Sequence, residues 1–178
     1  MIRLFAAIAI PAEIADGLVR RQQGLPGARW RPTEAFHITL RFAGEIDERV
    51  ADDLDVELAA ISGEALTLTL EGVGSFQDGA DIQAVWAGVG ENPALRRLAR
   101  RCESAARRAG LAPDKRRWLP HVTLAYLRGA DPARVAAWIQ GHNLLKSPAF
   151  EVDSFGLYSS WLGDEGARYR LERTYPLR

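Results

Sequence analysis

His37-Ile38-Thr39-Leu40 recurs as His121-Val122-Thr123-Leu124, 84 positions further along the chain. The match extends outward: the same offset pairs Phe42 with Tyr126, and each copy soon reaches a glycine, Gly44 or Gly129. Both tetrapeptides alternate and hold β-branched residues, so each reads as a strand. Histidine and threonine share one face, while Ile38 and Leu40, or Val122 and Leu124, share the other. The apolar face anchors and the polar face is available. A histidine and threonine turned into a core would each have to be hydrogen-bonded or cost ~1–3 kcal/mol. One copy reads most simply as a satisfied structural histidine. Two copies do not, because the chain has only three histidines and two hold equivalent places in the repeat. If the repeat reflects two similar lobes about an approximate two-fold axis, both His-Thr faces turn toward one shared cleft.

The flanking sequence supplies the rest of such a fold. Residues 2–10 form an apolar run ending at Pro11, a buried strand feeding a helix to about Gln23. Asp47 caps an amphipathic helix over 47–61, with Val50, Leu54, Leu58 and Ile61 on its inner face and Gly63 beyond it. Leu66, Leu68 and Leu70 alternate with Thr67, Thr69 and Glu71, so 66–74 reads as a strand with 82–89 as its hairpin partner. Asn92-Pro93 opens a helix to Gly110 whose inner face includes Leu95, Leu98 and Cys102. Asp131-Pro132 opens another through Trp138, with Gly141 as its stop and His142 in a loop beyond, without a role. Residues 149–160 and 168–175 read as two last strands. Strand pairs this close in sequence are antiparallel. The expected class is α+β: one bilobal domain over 1–178, two pseudo-symmetric antiparallel-sheet lobes, helices on the outer faces and a central cleft.

Composition narrows the function. At 178 residues, 47% apolar and 26% charged, the chain can bury a core without disulfides or metals, and its single cysteine fits a reducing, cytoplasmic setting. Apolar runs fall short of the ~20 residues that cross a bilayer, so no membrane segment is expected, and the opening run reads as a strand rather than a leader. Acids and bases balance at 23 each, which gives no reason to expect the diffuse electrostatic grip of a general nucleic-acid binder. The balance hides a gradient. Residues 44–81 hold eleven acids and one base, while 93–128 hold ten bases and two acids. Two solvated helix faces and an anion-attracting flank beside a site both remain open.

Two histidines facing one cleft suit displacement at phosphorus. Imidazole titrates near ~6.5, so one copy can be neutral and the other protonated, a base and an acid together. The base removes a proton from water in line with the departing oxygen, which receives a proton from the acid. Threonine hydroxyls can donate to the non-bridging oxygens. No metal or cofactor is required. A zinc site would want three ligands, and neither motif carries a second histidine at i+2 or i+4, nor a carboxylate. No G-x-S-x-G elbow occurs either.

The paired His-x-Thr-Leu motifs resemble the two-histidine phosphoesterase superfamily. The surrounding sequence is similar to its bacterial RNA 2′,3′-cyclic phosphodiesterase branch, also called 2′-5′ RNA ligase. The similarity runs through Arg3-Leu4-Phe5-Ala6-Ala7-Ile8, Arg29-Trp30, Gly72-Val73-Gly74-Ser75-Phe76, Val85-Trp86-Ala87-Gly88-Val89, Pro120-His121, Gly166-Ala167-Arg168-Tyr169 and Tyr175-Pro176-Leu177. The resemblance implies hydrolysis of a 2′,3′-cyclic phosphate to a 2′-phosphomonoester. It also implies His37 as proton donor to the 3′ oxygen, His121 as proton acceptor from water, and Thr39 and Thr123 as phosphate ligands. The residues alone leave the two histidines interchangeable.

One departure stands out. Many members have Ala-Arg after the second motif, whereas this chain has Ala125-Tyr126, so a phosphate-contacting arginine is missing there. Arg116 and Arg117 are candidates to compensate, and Phe76 or Trp118 to stack on a base, against the plainer readings of a solvated basic loop and core aromatics. Trp30 and Trp86 are expected to pack against strands. The implied partner is an RNA or nucleotide with a 2′,3′-cyclic phosphate, bound by a monomer with no obligate protein partner. Two alternatives stand beside hydrolysis: a non-catalytic module that holds RNA or nucleotide phosphate in the same cleft, and ligation of a cyclic end to a 5′-hydroxyl.

Overall fold

Strand β1 (Ile2–Ala9) is buried over Leu4–Ile8, as its unbroken apolar run requires, and it lies inside a sheet. The computed structural model describes residues 1–164 and 166–178. After Pro11, α1 (Ala12–Val19) buries Ile14, Ala15 and Leu18. It stops short of the expected Gln23 because Arg21 and Gln22 offer no apolar face to continue it. Gln22 instead donates through Nε2 to the carbonyls of Arg31 (2.8 Å) and Leu124 (3.1 Å).

The elements that follow are β2 (Arg29–Trp30), a 3-10 turn (Thr33–Ala35), β3 (His37–Ile46), α2 (Glu48–Ala59), β4 (Leu66–Leu68), β5 (Leu70–Asp78) and β6 (Asp81–Val89). Then come α3 (Pro93–Arg108), β7 (His121–Tyr126), α4 (Pro132–His142), β8 (Phe150–Val152), β9 (Ser154–Gly163) and β10 (Gly166–Pro176). They make two four-stranded sheets, ordered β10-β9-β1-β3 and β2-β7-β6-β5, antiparallel throughout. Each sheet carries one copy of the repeat at the first residues of a strand, β3 or β7. This is the α+β, two-sheet architecture the repeat implied.

The caps behave as their residue types dictate. Asp47 accepts from the Val50 amide, Asn92 from Leu95 and Asp131 from Ala133, the last two with proline opening the helix. Acidic α2 and basic α3 pack together, and Arg108 pairs with Glu57 across them, so the two opposite-signed segments face each other as neighbours. Cys102 is fully buried on the inner face of α3, where burial pushes its thiol up to about 12 and leaves it inert. No helix among the described residues is long and apolar enough to cross a membrane.

Three further boundaries differ from expectation. The strand read over 66–74 breaks at Thr69: β4 pairs with β8 in a separate two-stranded sheet, and only β5 pairs with β6. The break has a cause in the 145–147 segment. Leu70 donates its amide to Ser147 Oγ and accepts from the Ser147 amide, while the Gly72 amide bonds to Leu145. The strand read over 149–160 divides likewise into β8 and β9. Gly141 does not stop α4, which runs on to His142; that ring packs on Trp138 (centroids 4.9 Å apart).

Gly88 of β6 lies opposite His121 in the ladder, and a Cβ there would sit 2.5 Å from the Glu71 carbonyl oxygen. That oxygen belongs to backbone and cannot swing away. Gly88→Ala is therefore expected to cost ~1–3 kcal/mol, lowering the melting temperature by roughly 2–10 °C. It should also reduce activity through the displaced start of β7. An unchanged melting curve would contradict the close approach of these strands.

Candidate active site

Both repeats fold as their alternation demands. Ile38, Leu40, Val122 and Leu124 are buried to 2% exposure or less, while His37, Thr39, His121 and Thr123 face a cleft of about 770 Å³. A cleft of that size holds a nucleotide. The imidazoles are fixed in the same way. His37 Nδ1 lies 2.8 Å from the carbonyl oxygen of Ala35, and His121 Nδ1 lies 2.7 Å from that of Leu119, in each case two residues upstream. A carbonyl only accepts, so Nδ1 carries the proton in the neutral ring and Nε2 presents its lone pair.

Aromatic rings hold each imidazole in place. His37 rests against Phe5 (centroids 4.8 Å) and meets Tyr169 edge-on (5.2 Å). His121 meets Phe76 edge-on (4.7 Å), with Trp86 behind it (6.0 Å). Trp86 packs over Gly74, where a Cβ would lie 2.4 Å from the indole, so the glycine makes room for the ring. Trp30 packs near Trp138 (6.3 Å). Burial lowers both histidines, against the opposing pull of their carbonyl partners. For His37, the charges of His121 and Arg31 add to that push, and it falls to about 4. The Thr39 and Thr123 hydroxyls make no hydrogen bond to the described residues, so both remain available.

The rim is basic. Arg116 and Arg117 line the cleft, but Arg116 is engaged by Asp114 (3.3 Å). Trp118 and Phe76 also line it, and the Trp118 indole N–H donates to the Thr39 carbonyl (3.0 Å), tying its loop to β3. Sequence reading missed Arg31, Tyr126, Tyr169, Arg41, Arg96 and Arg100, which complete the wall. Arg41 pairs with Glu103 and Arg96 with Glu91 (2.7 Å); among the described residues Arg100 and Arg117 make no ion pair. Nor do any three His, Cys, Asp or Glu side chains among those residues cluster as a metal site would need.

Two antiparallel sheets that each bring one such histidine to a common cleft define the class of two-histidine phosphoesterases. The description "2'-5' RNA ligase superfamily" matches residues 10–164. The RNA 2′,3′-cyclic phosphodiesterase of Aeropyrum pernix is 37% identical over 140 residues, covering 77% of this chain and 79% of that protein. The protein of the same name from Escherichia coli is 33% identical over 171 residues, covering 94% and 92%. The crystal structure of E. coli LigT complexed with 3'-AMP superposes with a TM-score of 0.82 at 29% identity, covering 99% of this chain and 98% of that one. The chain belongs to the 2′-5′ RNA ligase superfamily.

Proposed function

We propose that this protein is a metal-independent RNA 2′,3′-cyclic phosphodiesterase that opens the cyclic phosphate to a 2′-phosphomonoester. The reading is carried by one observation: two imidazoles, each with Nδ1 tied to the carbonyl two residues upstream, expose Nε2 to one cleft beside an unpaired threonine hydroxyl. In the proposed reaction His121 Nε2 takes a proton from water as the water oxygen bonds to phosphorus. The bond from phosphorus to the 3′ oxygen breaks, and His37 Nε2–H delivers its proton to that oxygen. The 2′ oxygen keeps its bond. Thr39 and Thr123 donate to the non-bridging oxygens as charge gathers there. A 5′-hydroxyl in place of the water would give a 2′-5′ linkage through the same proton transfers. Buried, unpaired Cys102 supports a cytoplasmic setting.

Incubation with a nucleoside 2′,3′-cyclic phosphate, followed by phosphorus NMR, tests the reading: the 2′-monoester should accumulate at the same rate with and without EDTA. A 3′-monoester would reverse the leaving group. Affinity without turnover over many hours would make the protein a binding module.

The pH dependence follows from the depressed histidines. Only molecules with a proton on His37 and none on His121 react, so kcat/KM should be bell-shaped. Its maximum should fall below pH 6.5, between about 4 and the lowered value of His121. The anionic substrate favours both protonated rings, so the kcat profile should lie at higher pH. A profile flat from pH 5 to pH 8 would contradict the acid and base roles.

A further inference from the structure

Tyr126 occupies the place where the second motif would supply an arginine, and the structure makes that place part of the cleft. The ladder between β6 and β7 slips at Leu124, so Leu124 and Ala125 are both fully buried and Tyr126 turns back to the cleft face beside Thr123. Strand β2 runs antiparallel to this segment, pairing Arg29 with Tyr126 and Trp30 with Ala125, and the Arg31 amide donates to the Leu124 carbonyl (2.8 Å). Arg31, the residue that follows β2, therefore enters the cleft alongside β7. Its guanidinium carbon lies 5.4 Å from the Tyr126 ring and 5.7 Å from the Tyr169 ring.

Two Arg31 donors are spent on positioning: Nη2 reaches the Ala167 carbonyl (3.2 Å) and the Tyr169 hydroxyl (3.3 Å). A guanidinium has five N–H donors, so Nε and Nη1 are left for a ligand. The charge stands close enough to His37 to oppose its protonation, and Tyr169 touches both groups. From this arrangement we infer that Arg31 grips the non-bridging oxygens of the substrate phosphate, supplying from the end of β2 the guanidinium that β7 lacks, with Tyr126 and Tyr169 as its walls. The inference rests on the proposed phosphodiesterase reading for its substrate, but the phosphate grip itself can be tested without turnover.

The test compares wild type, Arg31→Met, Arg31→Lys and the double variant Arg31→Met/Tyr126→Arg. Inorganic phosphate affinity, kcat and KM for a nucleoside 2′,3′-cyclic phosphate, and melting temperature are measured for each. Arg31→Met should weaken phosphate binding and lower kcat/KM about 10- to 100-fold, and Arg31→Lys should recover only part. Restoring a guanidinium at position 126 should regain at least tenfold of the loss in both. A residue that merely anchors β10 would lower the melting temperature while leaving phosphate affinity and kcat/KM at wild-type values, and that result overturns the inference. Should Arg31→Met unfold at assay temperature, Arg31→Lys decides by the same readouts. A wild type that binds phosphate without turnover would remove the phosphodiesterase reading, while the phosphate affinities would still decide the role of Arg31.

Discussion

Replacing either cleft histidine by alanine is expected to lower kcat/KM for a nucleoside 2′,3′-cyclic phosphate by about 10³–10⁴-fold, or about 4–5.5 kcal/mol of barrier. The fold should survive in both variants. Each imidazole sits at the start of its strand, while the adjacent Ile38 and Val122, which hold the strands in the core, are untouched. The double variant should be little worse than either single one, because an acid and a base that act in the same step are not independent. Full activity in either single variant would remove that histidine from the reaction. Steady-state rates beside thermal melts settle the point.

The second large effect belongs to the threonines. Valine nearly matches threonine in shape, and neither hydroxyl bonds to the described residues, so Thr39→Val and Thr123→Val should fold normally. Each should lose about 10²-fold in kcat, and together about 10³–10⁴-fold, because the hydroxyls face oxygens whose charge grows in the transition state. KM should change far less. A double variant within tenfold of wild type would show that the hydroxyls do not face the phosphate.

What was legible in the sequence was what local periodicity encodes. The alternation of His37-Ile38-Thr39-Leu40 and its copy separated cleft from core residue by residue, and Asp47, Asn92-Pro93 and Asp131-Pro132 marked the helix starts. Long-range pairing was hidden. The split at Thr69 depends on Ser147 and Leu145, more than 70 positions away, and nothing in the run of alternating leucines announces it. Strand β2 is two residues long, too short to carry a period, yet it delivers Arg31 to the cleft. Tyr126 was the available clue, since a missing arginine invites a search for another guanidinium. Among so many arginines only the ladder between Arg29 and Tyr126 shows which one lies there. Arg116 and Arg117, nearer in sequence to His121, sit on the rim, and Arg116 is already held by Asp114.

The division of labour between the two histidines is tested most directly by a substrate whose 3′ bridging oxygen is replaced by sulfur. A thiolate leaves without a proton, so the acid becomes dispensable and the base does not. His37→Ala should recover most of its lost rate on the sulfur substrate relative to wild type, while His121→Ala should remain as impaired as on the oxygen substrate. Equal defects in both variants on both substrates, or recovery in His121→Ala instead, would contradict the assignment of acid and base across this cleft.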